Sequence, residues 1–243
     1  MKNFGKEIYI RGLIEVSTYC KNNCYYCGLR FANKEAKRVR LSKEEILDLA
    51  KHSVDLGIKT IVMQGGEDDF YILEYLKEII GEIKEKFSDV AITLSLGERD
   101  FKDFEVLKNM GADRYLLRHE TYSKSHYERL HPSSMSFQHR IDSILKLKEL
   151  GFQTGCGMMV GSPYQELENL YEDLKFILKL KPEMVGIGPF IPQHDTPFRD
   201  FEAGKLRDVL NILSIVRIAD EKLLLPSTTA LGSIDDFGRE KGI

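Results

Sequence analysis

Two rhythms of apolar and polar residues alternate along the chain. Short apolar, β-branched runs predict strands at 10–18, 60–66, 91–97, 114–120, 154–161, 183–191 and 223–232. Between them, apolar residues recur at three- and four-residue spacing. One such stretch opens at Ser42, where Ser42 and Glu45 form a capping box. It carries Ile46, Leu49, Ala50 and Val54 on one face and ends at Gly57. Further helices are predicted over 71–87, 101–110, 136–150, 166–180 and 204–221.

A β-α unit repeating every ~30–40 residues, with apolar strands, predicts an α/β fold with a parallel sheet covered by helices. The choice lies between an open doubly wound sheet and a barrel. No G-x-G-x-x-G follows the first strand, which weakens the dinucleotide-binding alternative. Polar residues stand at or near the carboxyl ends of most strands: Thr18, Glu67, Ser95, Glu120, Gln193 and Thr228. Active sites of barrels are built on that rim, so a TIM-type (β/α) barrel in one domain over 1–243 is expected. The sequence stops at GREKGI, where a seventh helix would begin. The barrel is therefore expected to lack its seventh helix and its eighth strand and helix, as an open or truncated form.

Charge and hydropathy narrow the classes of partner. With 35 basic against 38 acidic residues and no basic block, no nucleic-acid surface is indicated. No apolar run approaches the roughly 18 residues of a membrane span. The start, MKNFGKEIYIRG, lacks the apolar stretch of a secretory signal, so a cytoplasmic location is expected.

Three of the four cysteines fall in STYCKNNCYYCGLR, right after the first strand. Cys20, Cys24 and Cys27 follow a C-x3-C-x2-C spacing. Soft thiolates suit an iron–sulfur cluster or zinc. A structural zinc site takes four protein ligands, and the nearest further candidates, His52 and Cys156, are distant in sequence. A zinc knuckle with a remote fourth ligand, or three unrelated cysteines, are the plainer alternatives. Three thiolates on a 4Fe-4S cluster leave one iron open to a small chelating molecule. Cys156, within a strand, reads as a small buried hydrophobe.

The spacing, with Tyr26 before the last cysteine, resembles the signature of the radical S-adenosylmethionine (SAM) superfamily. The resemblance implies a 4Fe-4S cluster whose open iron is chelated by the amino and carboxylate groups of SAM. Electron transfer then cleaves SAM to a 5′-deoxyadenosyl radical. It also implies that Gly65, Gly66 and Glu67 of QGGED hold the SAM amino group and that Glu120 and Arg140 bind SAM. Met159, in a partial match to a G-x-I-x-G motif, and Ile191 would lie beside the adenine. Tyr164 stands where that motif ends in an acidic residue. For Arg140 the plainer reading is a solvated helix face; for Met159 it is barrel packing.

RGLIE, YCGLR, TLSLGE, GADRYLLRHET, LKELGF, MVGIGPFIP, DTP and TTA-x-G together resemble the HydE-type FeFe-hydrogenase maturases, from about residue 8 to 240. Biotin synthase and methylornithine synthase are related families. The resemblance implies that Arg11, Thr93, Ser95, Arg118, Met184, Thr228 and Thr229 line a substrate cavity. It implies a small organometallic or sulfur-bearing substrate, an electron donor such as a ferredoxin or flavodoxin, and other hydrogenase maturases as partners. Core packing is the plainer reading of each Thr and Ser.

Overall fold

The computed structural model describes residues 7–243. Along the chain run β1 (Gly12–Ser17), α1 (Lys43–Asp55), β2 (Thr60–Gly65), α2 (Leu73–Lys86), β3 (Ala91–Ser95), α3 (Phe101–Asn109), β4 (Arg114–Leu116) and α4 (Lys124–Leu130). They are followed by α5 (Phe137–Glu149), β5 (Gln153–Val160), α6 (Leu167–Leu180), β6 (Met184–Pro189), α7 (Leu206–Ala219), α8 (Thr229–Ile234) and α9 (Gly238–Lys241).

Six parallel strands pair in sequence order, β1 to β6. A doubly wound sheet reverses its strand order at a switch point. No reversal occurs here, so the barrel alternative holds. The sheet also curls. Arg11, just before β1, donates from Nη1 to Sδ of Met184, the first residue of β6, at 3.4 Å. Five inter-strand gaps of about 4.8 Å would separate these edges by about 24 Å in a flat sheet. An arginine side chain cannot span that, so the strands form an arc of a barrel.

Alternation along each strand divides the two faces. Ile14, Val16, Ile61, Met63, Ile92, Leu94, Tyr115, Cys156, Met158, Val185 and Ile187 are buried against the helices. Opposite them, Ile46, Ile79, Ile80, Ile83, Phe104, Leu107, Ile144, Phe176 and Val209 complete the core. The other face carries Thr93, Ser95, Arg118, Gly157, Met159 and Met184, and becomes the inside of the arc. The capping box of α1 is present in both directions, with Glu45 N–H donating to Ser42 Oγ and Ser42 N–H to Glu45. Ile46 and Ala50 are buried as predicted, whereas Leu49 is 43% exposed and leaves the stripe.

Three elements differ from the sequence reading. The strand predicted at 223–232 is not formed: only a single bridge joins Leu224 to Met184. Pro226 has no N–H to extend that pairing. Thr228 then caps a helix, and Leu231 is buried from α8. The strand predicted at 114–120 ends at Leu116, because Glu120 adopts a left-handed backbone (φ 63°) and rejoins β5 only by a bridge to Met158. The helix α4 was not predicted. Its signal was present: His126, Tyr127 and Leu130, all buried, lie on one helical face after Ser123.

Candidate active site

The segment between β1 and α1 leaves the sheet and returns to it. At its neck Thr18 N–H donates to the Val39 carbonyl, and Leu41 N–H to Val16. Asp68, after β2, accepts from Ser17 Oγ at 2.6 Å and from both arms of Arg40 at 2.7 and 2.8 Å. Arg40 beside it holds the Asp68 carboxyl below the usual range, although burial pushes the other way. Lys21 N–H bonds the Glu67 carbonyl and Tyr25 N–H the Leu130 carbonyl, which fix the loop to the ends of β2 and α4.

Cys20, Cys24 and Cys27 lie together in this loop, half-buried and free of disulfides. Burial raises all three thiols, and Cys24 is pushed up to about 12. Cys24 and Cys27 also feel other cysteines as neighbouring charges: Cys27 and Cys20 both act on Cys24, and Cys20 on Cys27. Deprotonated together, three thiolates here would be stabilised by a shared cationic centre. Among the described residues, no three His, Cys, Asp or Glu side chains converge on a point for one metal ion. A four-iron cluster instead takes its thiolates at separate corners.

Gly66 is set against this loop. A Cβ there would lie 2.1 Å from the Tyr19 carbonyl oxygen and 2.7 Å from Cys20 Cβ, so only glycine admits the loop. Gly65 ends β2 and Glu67 follows.

Glu120 is buried, and its Oε2 lies 3.1 Å from Arg118 Nη2 without a hydrogen bond. Its left-handed backbone is a strained position for a non-glycine residue. Arg118 crosses Gly157 to donate to the Met158 carbonyl at 2.8 Å. Arg140 is not on a solvated helix face, because it is buried on α5. It pairs through Nε with Glu98, and its Nη2 lies 3.5 Å from Glu67. Burial works against its charge, yet Glu98 and its other anionic neighbours outweigh that and raise it further. Glu98 was not singled out from the sequence.

An apolar wall closes the near side. Met159, Phe190, Phe198 and Leu130 form a small core with Tyr25 and Tyr26 against it. Tyr26 lies 3.2 Å from Nε2 of His131, whose Nδ1 is 2.9 Å from the Tyr127 carbonyl. Burial pushes His131 down to about 3, so the ring is neutral. A carbonyl only accepts, so Nδ1 carries the proton and Tyr26 donates to Nε2. Ile191 lines a cavity of about 620 Å³ with Tyr26, Cys27, Gln193 and Lys37.

Of the residues expected to line a substrate cavity, Arg11, Thr93, Ser95, Arg118 and Met184 share the inside of the arc, but not one depth. Arg11 and Met184 stand at the amino ends of their strands, about 20 Å from the cysteine loop by strand rise. Thr93 is buried with its hydroxyl unpartnered, and Ser95 follows two residues on. Thr228 reaches the Ile187 carbonyl at 3.4 Å. Thr229 is exposed at the start of α8.

The family model of the Radical SAM superfamily matches residues 14–177. The chain belongs to the radical SAM superfamily. It is 46% identical, over 98% of its length, to the [FeFe] hydrogenase maturase subunit HydE of Thermotoga maritima and covers 68% of that protein. It is 31% identical to 3-methylornithine synthase of Methanosarcina acetivorans over 96% of this chain and 66% of that one. The chain thus spans about two thirds of the length of these relatives. The crystal structure of methylornithine synthase (PylB) superposes with a TM-score of 0.89 at 26% identity, over 99% of this chain and 71% of that one. The X-ray structure of the maturase HydG from Carboxydothermus hydrogenoformans gives 0.79 at 28% identity, over 92% and 54%. Radical SAM enzymes work with a 4Fe-4S cluster and SAM. The three thiols, the close approach at Gly66 and the open acceptor on Glu120 fit those groups. Among the described residues, no helix is long and apolar enough to cross a membrane.

Proposed function

We propose that this radical SAM enzyme acts in FeFe-hydrogenase maturation, holding a 4Fe-4S cluster through Cys20, Cys24 and Cys27. The observation that carries the reading is the three free thiols gathered in one loop, all raised by burial, with Cys24 and Cys27 raised further by their cysteine neighbours. When bound, the reduced cluster supplies an electron that cleaves SAM to methionine and a 5′-deoxyadenosyl radical.

The chain's own residues bind and shield. Gly65, Gly66 and Glu67 present backbone to the SAM amino group. Glu120 Oε2, which accepts no hydrogen bond from the protein, takes a donor from SAM. The guanidinium of Arg140, fixed by Glu98 and Glu67, faces the SAM carboxylate. Tyr26, Met159 and Ile191 keep water from the adenine side. Arg11, Thr93, Ser95, Arg118, Met184, Thr228 and Thr229 belong to the substrate side. Arginines at both depths of the arc suit an anionic, sulfur-bearing or organometallic substrate. Thr229 contributes only if the rim closes over it. An electron donor such as a ferredoxin or flavodoxin, other maturases as partners, and a cytoplasmic setting complete the reading.

The likeness to methylornithine synthase favours a second reaction of the same group. The test is oxygen-free reconstitution, reduction and addition of SAM. The reading expects about four irons per chain, as a 4Fe-4S cluster requires, and release of 5′-deoxyadenosine. A Cys24→Ser variant that keeps its full iron and sulfide would defeat the ligand assignment. Formation of 3-methylornithine would move the chain to the second reading.

A further inference from the structure

Arg38 has an unusual set of partners. It lies in the segment that returns from the cysteine loop, two residues before Arg40. Arg40 is matched by a carboxylate, Asp68. Arg38 is matched by none: among the described residues its guanidinium bonds only to backbone carbonyls. Nη1 donates to Thr18 at 2.5 Å and Leu29 at 2.9 Å, and Nη2 to Arg30 at 2.8 Å and Asn33 at 3.0 Å. Those carbonyls bracket the cysteines, two residues before Cys20 and two, three and six after Cys27. One side chain therefore ties both ends of the ligand loop together. A planar fork with five donors can do this, and a lysine ammonium cannot reach so many separated acceptors.

The second consequence is electrostatic. The bonds of Arg38 to the Thr18 and Leu29 carbonyls set its guanidinium at the backbone two residues from Cys20 and from Cys27. Its charge therefore sits at the ligand loop and, among the described residues, is paired with no carboxylate. Positive charge beside a cluster favours the state with one more electron.

We propose that Arg38 is a positioning residue that clasps the cluster loop and, through its uncompensated charge, makes the cluster easier to reduce. This rests on the reading that Cys20, Cys24 and Cys27 hold the cluster. The test uses the full chain reconstituted without oxygen, with Arg38→Gln and Arg38→Lys beside the unaltered protein. Electron paramagnetic resonance, recorded without SAM at set potentials, reads the reduced fraction. A chelator challenge reads cluster retention.

Both variants are expected to lose iron several-fold faster. Arg38→Gln is expected to show a reduced-to-oxidised ratio about tenfold lower at a fixed potential, equivalent to about 59 mV for one electron. Arg38→Lys, which keeps the charge, is expected to stay near the unaltered ratio. The proposal is overturned if Arg38→Gln titrates like the unaltered protein, or if both variants keep their iron as long. Should Arg38→Gln accept no cluster, hydrogen exchange of the apo chain decides. Protection lost only within 18–33 supports the clasp; loss spreading through β1 and β2 overturns it. An unaltered chain that forms no four-iron cluster would instead defeat the proposed function.

Discussion

Gly66 sits so close to the Tyr19 carbonyl that a single methyl group there must move the loop or the strand. For Gly66→Ala the expected cost is about 1–3 kcal/mol of stability from overpacking. The iron bound after reconstitution should fall more steeply, because the displaced atoms adjoin Cys20. Urea unfolding and iron assay on the same sample check this, and full iron at normal stability would defeat it. Glu98 is the second residue with a specific consequence. It pairs with Nε of Arg140, a buried cation whose other carboxylate, Glu67, is 3.5 Å away. Glu98→Gln keeps the shape and removes the charge. Loss of about 1–3 kcal/mol is expected for a weakened buried charged bond, together with weaker SAM binding as Arg140 turns toward Glu67. Equilibrium dialysis with labelled SAM reads the second effect; unchanged affinity would separate Arg140 from SAM. Neither Glu98 nor Arg38 was legible in the sequence. Glu98 matters through a partner 42 residues away. Arg38 matters through backbone carbonyls, which every residue has and no letter marks.

At the scale of the element, α4 and its end carry a pH dependence. His131 is neutral in the fold, pushed down to about 3 by burial from an ordinary value of 6.5. Between those values the unfolded chain binds a proton that the folded chain refuses. This contribution to stability is full above about pH 6.5 and is lost as pH falls, by up to about 1.4 kcal/mol per unit. Urea midpoints at pH 7, 6 and 5 should decline more steeply for the unaltered chain than for His131→Gln; parallel slopes would count against it. The elements themselves were mostly written in local pattern. The capping box at Ser42 and the apolar strands needed only neighbours in sequence, and the C-x3-C-x2-C spacing needed only eight residues. The region after Leu223 misled because Thr228 and Thr229 favour strands intrinsically. Pro226 and the inward turn of Leu231 decide otherwise, and those are matters of pairing and burial.

Across the whole molecule the four cysteines divide into two populations. Cys156 is wholly buried on the helix side of β5, and burial drives its thiol up. The other three are half-buried on the rim. Alkylation of the apo chain is expected to modify three thiols in the native state and the fourth only on global unfolding. Early modification of Cys156 would mean that β5 opens locally. The curl of the sheet, marked by Arg11 on Met184, has a counterpart in the loop that the arc supports. The neck at Asp68, the hooks to Glu67 and Leu130 and the four carbonyls on Arg38 are all bonds within the chain itself. Ordering a residue costs about 1–2 kcal/mol in lost backbone freedom, and here that ordering belongs to the folding of the protein. Loosening any one of these bonds therefore weakens the grip on a cluster although no ligand is altered, because the lost order must then be supplied at binding.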